Sequence, residues 1–263
     1  MKKYIYIFKT SLMNNLQYVF NLCVGFISYA IIIFIYLNLW KYMYSDPNEL
    51  INGYNMSQMI WYVVMTEILW MSLSGRTLCA DICEDVKIGN VAYKINKPYN
   101  YVLYCVYNHL GKFLVKFIIY IILGFLLGLL LLNNFPCINP IHLIIVLISS
   151  LLATIVSILL ITSIGLLSFF IEDANPFYWI YSKVILVVGT LFPIEFFPKV
   201  IRPLLTFSPI FAVSYGPAKL FVDFSYNGAL KILLIQFIYI VISYIICILI
   251  YKRGVKKINV NGG

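Results

Sequence analysis

From Phe117 to Ile171 the chain contains no Asp, Glu, Lys or Arg. Over all 263 residues the charged types reach 11%, against about a quarter in a soluble domain, while 62% are hydrophobic. A water-soluble globular domain is thereby excluded, because no stretch of mixed polarity is long enough to close a core of its own. The remaining scarcities are chemical. Two histidines, His109 and His142, and ten acidic residues form no recognisable catalytic set. There is no Cys-x-x-Cys: Cys23, Cys79, Cys83, Cys105, Cys137 and Cys247 are scattered, and only Cys79 and Cys83 are neighbours. Small apolar fillers fit them better than a metal centre or a disulfide framework. No G-x-x-x-x-G-K-[ST] occurs, since Gly111-Lys112 lacks both the upstream glycine and the hydroxyl residue after it. The chain therefore has no P-loop for a nucleotide, and no cofactor or metal is expected on it.

What the sequence does hold is apolar length. A helix needs about 20 apolar residues to cross hydrocarbon, and the gaps between charges mark six such stretches. They run from about Tyr18 to Trp40, Met56 to Ser74, Lys112 to Leu132, Ile141 to Phe170, Pro176 to Leu191, and Leu230 to Tyr251. The third and fourth divide at the Asn- and Pro-rich turn Asn133 to Pro140. The expected fold class is an all-α integral membrane protein with six transmembrane helices in one transmembrane domain, residues 1–263.

Lys and Arg set the orientation. With the N-terminus inside, fourteen of the nineteen fall on the cytoplasmic side, so both termini are expected there, in a multi-pass protein of the cell (plasma) membrane. The net charge of +9 then reads as an orientation and lipid-surface signal, with no nucleic-acid partner. In residues 1–17, Ile5, Phe8, Leu12 and Leu16 recur at helical spacing opposite Lys2, Lys9 and Asn14. That pattern predicts a helix lying in the interface, the alternative being a basic flank that only orients the chain. Lys9 interrupts any signal-peptide core.

Two polar segments stand out. In residues 76–98, Asp81, Ile82, Glu84, Asp85, Val86 and Ile88 make a short amphipathic helix, acidic on its exposed side and broken at Gly89. In residues 192–220, Pro193, Pro198 and Pro203 forbid a continuous helix. Phe192, Phe196, Phe197 and Ile201 keep that segment too apolar for a solvated loop, although it carries Glu195, Lys199 and Arg202.

An interfacial N-terminal helix, six spans, a polar helix between spans two and three and a broken apolar segment before the last span together resemble the permease subunit of a type-2 ATP-binding-cassette exporter. The wording "EDVKIGNVAYKINKPYN", "LLSFFIEDANPFYWI" and "GTLFPIEFFPKVIRPLLTFSPIFAVSYGP" is similar to that family's coupling and gate regions. The resemblance implies a coupling helix whose residues Asp81, Ile82, Glu84, Asp85, Val86, Ile88 and Gly89 touch a separate ATPase subunit. It also implies a re-entrant segment in which Phe192, Pro193, Glu195, Phe196, Phe197 and Pro198 form part of an extracellular gate, with Glu195, Lys199 and Arg202 at the outer surface. ATP and Mg would bind that ATPase, and a second permease subunit, identical or homologous, would complete the transporter within membrane lipid. The spans are lined mostly by Ile, Leu, Phe and Tyr, so an amphipathic or hydrophobic cargo (peptide, drug or lipid) fits better than an ion. Two other classes remain open: a proton-coupled carrier using Glu67, without the internal repeat such carriers show, and an intramembrane enzyme or insertase.

Two arrangements inside the spans are also expected. Glu67 and Lys183, each about 10 to 12 Å from the cytoplasmic ends of their helices, are placed to pair beside the pathway, or Lys183 snorkels to the surface. Gly124 and Gly128 are expected to meet the small-residue stripe Ser149, Ala153 and Ser157 within one subunit, with a dimer seam as the alternative.

Overall fold

The computed structural model describes residues 2–17, 19–46, 48–132, 139–171 and 173–261, with the side chains of 19–24 and 258–261 left aside. The described chain is helical, with eleven α-helices: α1 (Lys2–Leu16), α2 (Val19–Met43), α3 (Met56–Leu73), α4 (Gly75–Lys87), α5 (Asn90–Ile95), α6 (Tyr101–Leu132), α7 (Pro140–Gly165), α8 (Asn175–Ile185), α9 (Arg202–Thr206), α10 (Gly216–Val222) and α11 (Tyr226–Asn261). Among the described residues four stretches are long and apolar enough to cross a membrane: Gly25–Met43, Tyr101–Leu132, Pro140–Phe169 and Tyr226–Lys257.

The two other stretches marked by the sequence differ for a physical reason. Helix α3 is enclosed by the bundle, with every residue from Met59 to Leu69 buried, so neighbouring helices and not lipid set its composition, and Gln58 and Glu67 are accommodated. Helix α8 ends at Ile185 and continues as a wide π-type turn over Leu186–Leu191. By contrast, Ile118, Ile122, Leu126 and Leu130 of α6 stay exposed at four-residue spacing. Hydrocarbon stabilises such a face and water does not.

Local signals set the helix ends. Asn55 and Gln58 cap α3 reciprocally, Asn55 Oδ1 accepting from Gln58 N at 2.8 Å and Gln58 Oε1 from Asn55 N at 3.0 Å. Ser74 takes a left-handed conformation (φ 49°, ψ 43°) and bends the chain from α3 into α4. Asn139 caps α7 through Ile141 N, with Pro140 in the first turn. Residues 133–138 of the predicted turn, and with them Cys137, lie outside the described residues, as does the side chain of Cys23.

Two large cores, and a small third one around Val156, Ile185 and Val213, share the described part of the bundle. One joins Tyr29, Trp40, Trp61, Tyr62, Phe113 and Phe221 across α2, α3, α6 and α10. The other joins Leu78, Ile82, Val102, Ile161, Leu166 and Tyr178 across α4, α6, α7 and α8. Helix α1 packs on the first half of α6: Ser11 Oγ donates to Asn108 O at 2.6 Å, the Tyr4 and Tyr107 rings stack at 5.4 Å, and Gly111 leaves room for the Phe8–Leu12 backbone. Tyr251 of α11 stacks on Tyr101, so the early part of α1, α4, α5 and the late part of α11 gather at one end of the bundle. Trp40, Tyr54, Phe196 and Lys219 gather at the other.

Candidate functional site

At the first end, α4 has one inward and one outward face. Ile82 is 1% exposed and lies against Gly165, where an added Cβ would crowd it, while Leu78 and Cys79 complete the buried side. Asp85 also turns inward, contrary to its placement on a partner-facing surface. Lys94 Nζ lies 2.7 Å from its Oδ1, and the Tyr101 hydroxyl donates to Oδ2 at 2.9 Å, so Asp85 ties α4 to α5 and α6. The outward face keeps Asp81 and Glu84, and the following turn keeps Ile88, 64% exposed, with Gly89 at φ +80°. Val86 is half-buried. Asp81 has only a loose 3.5 Å contact with Lys112.

At the opposite end, residues 186–224 fold back on the bundle. The wide turns over Leu186–Leu191 and Phe211–Tyr215 meet at Gly189, whose carbonyl accepts from the Tyr62 hydroxyl at 2.7 Å and from Ser214 Oγ at 2.8 Å. A Cβ on Gly189 would press on Ile210 and Ser214, which accounts for glycine there. Phe192 and Phe196 set their edges on the buried Trp40 ring at 5.9 and 5.5 Å. Pro193 is buried, Phe197 half-buried and Pro198 exposed. Glu195 is part-buried and partnered: Tyr215 donates to its Oε1 at 2.5 Å and Lys219 Nζ lies 3.4 Å away, while Oε2 is buried without a partner. Arg202 likewise turns inward, donating from Nη2 to Glu195 O at 2.6 Å and from Nε to Phe197 O at 2.8 Å. Lys199 remains exposed.

Between the two ends the structure separates residues that the sequence placed together. Glu67 is 1% exposed, its Oε2 has no hydrogen-bond partner, and Tyr29 and Tyr36 of α2 lie within electrostatic reach. Lys183 instead sits over the ring of Trp179, one turn back on α8, at 5.6 Å. It faces a cleft of about 750 Å³ beside the α3–α4 bend, which Glu67 does not line.

A sequence profile of ABC-2 family transporter proteins matches residues 8–262. The chain belongs to the ABC-2 transporter family. No curated relative matches it. The match spans nearly the whole chain, so both ends described above lie inside the ABC-2 region. This ABC-2 chain is accordingly a multi-pass membrane protein and a transport subunit, of a family whose membrane subunits normally work with an ATP-binding subunit.

The small-residue contacts of the ABC-2 chain also differ from the expectation. Gly124 receives Tyr29 and Ile68, and Gly128 receives Trp61, so both glycines are notches for α2 and α3. A glycine on a helix admits whichever neighbour carries the bulk, and here the bulk is aromatic. Ser149 of the α7 stripe faces α11 instead: Ser149 Oγ donates to Gln236 Oε1 at 3.1 Å, and Gln236 Nε2 donates to Ser149 O at 3.1 Å and to Ala212 O at 2.9 Å. Ala153 and Ser157 are buried further along α7. Gln236 went unremarked in the sequence, although it is the one amide in the apolar run between Lys231 and Lys252. Tyr54, Tyr215 and Lys219 around Glu195 carried no such signal, because Tyr is common throughout this chain.

Proposed function

We propose that this chain is the membrane-spanning half of an ATP-driven exporter, carrying an amphipathic or hydrophobic substrate outward with ATP hydrolysed on a separate subunit. Six crossings are made by α2, α3, α6, α7, by α8 with the turn after it, and by α11, while α1 lies in the interface. Both termini then fall on the cytoplasmic side with α4 and α5. The segment from Phe192 to Leu220 re-enters the outer leaflet, which is physically tolerable because its non-helical backbone is covered by Trp40, Tyr54 and Tyr62. A second permease, identical or homologous, completes the pathway.

The observation that carries this reading is the two-sided α4. Its inner face is locked to α7 through Ile82 and to α5 and α6 through Asp85, so a push on its outer face moves the bundle and not just a loop. That outer face offers Asp81, Glu84 and Ile88, an acidic rim and an apolar tip for a basic, partly apolar partner surface. A groove of about 380 Å³ between α4, α5 and α6 lies beside it. Nucleotide-driven movement of the ATPase would bias two arrangements of the spans through this contact.

The test uses the assembled complex. Glu84→Lys combined with Ile88→Glu should leave the permease inserted and stable but remove its effect on the ATP hydrolysis of the associated subunit. Unchanged, still transport-coupled hydrolysis in that variant would sink the assignment of α4.

A further inference from the structure

We infer that the cleft beside the α3–α4 bend binds the anionic headgroup of an amphipath, a phosphate or carboxylate carried on an acyl chain. The inference rests on the transport reading above and deepens it by naming the class of cargo.

Three cations, Arg76, Lys116 and Lys183, converge on this cleft from α4, α6 and α8, and no Asp or Glu among the described residues lines it. None of the three takes part in an ion pair among the described residues. They are held by neutral groups. Lys116 Nζ donates to Ser74 Oγ at 2.6 Å, and the Arg76 guanidinium and the Lys183 ammonium lie 5.5 and 5.6 Å from the centre of the Trp179 ring. An ammonium has three donors and a guanidinium five, so most of their hydrogen-bonding capacity remains for a ligand. Cations that merely anchor a protein to the interface reach outward separately into water. Here they are gathered around one concavity, with room for an anion between them.

The walls say what else the anion must carry. The chain enters the cleft along the last turn of α3, with Trp70, Met71 and Leu73, passes the left-handed Ser74, and leaves along α4 with Arg76 and Thr77. Apolar and cationic linings therefore follow each other across one bend. Inorganic phosphate would satisfy the cations and leave the α3 side wet. A headgroup with an attached chain satisfies both. The volume of about 750 Å³ falls within the range of small-molecule sites, and an Arg beside a Lys is the usual means of holding a phosphate or carboxylate.

The experiment uses the purified full chain in a neutral detergent and reads the change in intrinsic tryptophan fluorescence, Trp70 and Trp179 being the two of the four tryptophans that line the cleft. The probes are dihexanoyl phosphatidylglycerol, dihexanoyl phosphatidylcholine and inorganic phosphate. We expect the anionic lipid to bind at least ~10-fold more tightly than the zwitterionic one, and inorganic phosphate at equal concentration not to displace it. Lys116→Gln with Lys183→Gln should weaken the anionic lipid ~10-fold or more, while Lys116→Arg preserves binding. If the double variant fails to fold, Arg76→Gln, at an exposed position, gives the same reading. Equal affinity for the two lipids, or unchanged binding in the glutamine variants, overturns the inference. Displacement by inorganic phosphate overturns it as well, reducing the cleft to a free-anion site. The assay contains no ATP-binding subunit, so its failure leaves the transport reading standing, whereas α4 variants that bind lipid and stay coupled to ATP hydrolysis would count against that reading alone.

Discussion

The Tyr215 hydroxyl donates to Glu195 Oε1 at 2.5 Å, joining two points twenty residues apart across the folded-back segment. The carboxylate also draws Lys219, which is held in turn by the Tyr54 hydroxyl at 2.9 Å and Asp223 at 2.8 Å. One buried oxygen of Glu195 remains without a partner. The contact is therefore satisfied at one oxygen and costly at the other.

Removing the donor alone should be worse than removing both partners. Tyr215→Phe leaves a largely buried carboxylate short of its best hydrogen bond and should cost about 1–3 kcal/mol. The double change Tyr215→Phe with Glu195→Leu should recover most of that loss, because no buried charge is then left unsatisfied and Lys219 keeps Asp223 and Tyr54. Thermal unfolding of the purified chain measures both. A double variant that melts below Tyr215→Phe would show that the bond is not the source of the effect.

A second prediction concerns the notch at Gly128. A methyl group there meets the six-membered ring of Trp61, which is 1% exposed and has no room to retreat. Gly128→Ala should cost about 1–3 kcal/mol from overpacking. In a Trp61→Phe background the same change should cost under about 1 kcal/mol, and the difference is the coupling between the two sites. Gly53→Ala serves as a control of another kind, since no atom lies within 4 Å of the new methyl and only the φ of +90° resists it, at about 1 kcal/mol.

These two regions show what the residues alone could reveal. The break at Pro193, Pro198 and Pro203 and the turn at Gly89 are legible because each is a local event of backbone chemistry. The amphipathic α4 is legible because its acidic and apolar residues alternate at helical spacing. The partners of Gly124, Gly128 and Ser149 are not, since α6, α7 and α11 are apolar nearly all round and periodicity then carries no direction. The partners of Glu195 are hidden for a related reason: its environment comes from Tyr54, Tyr215 and Lys219, far away in sequence, and a charge in a loop says nothing about such neighbours.

Along α4, position should decide the outcome more than residue type. Ile82→Glu puts a charge against Gly165 and the α7 backbone, and we expect no folded protein to be recovered. Ile88→Glu, at a residue 64% exposed, should change the unfolding free energy by no more than about 0.5 kcal/mol. Asp85→Asn should fall between them, losing the charge that holds Lys94 and accepts from Tyr101. Yield and melting temperature of the three variants give the order, and an Ile88 variant as damaged as the Ile82 one would refute the two-sided reading of this helix.

Glu67 provides the last prediction. Its carboxylate is 1% exposed, carries an oxygen without a partner, and is not joined to Lys183, which lies over Trp179. An unpaired charge at membrane depth costs at least about 2.5 kcal/mol, so a neutral group of the same shape should relieve the fold. Glu67→Gln is thus expected to match or exceed the parent in thermal stability, and Lys183→Met to leave stability nearly unchanged because its ammonium is exposed. Combined, the two changes should add to within about 0.3–0.5 kcal/mol, as independent sites do. A coupling beyond about 1 kcal/mol would mean that the two side chains do meet in some populated arrangement of the spans. If Glu67→Gln keeps its stability while transport by the assembled complex falls, the buried carboxylate is retained for a working step and at a cost to the fold.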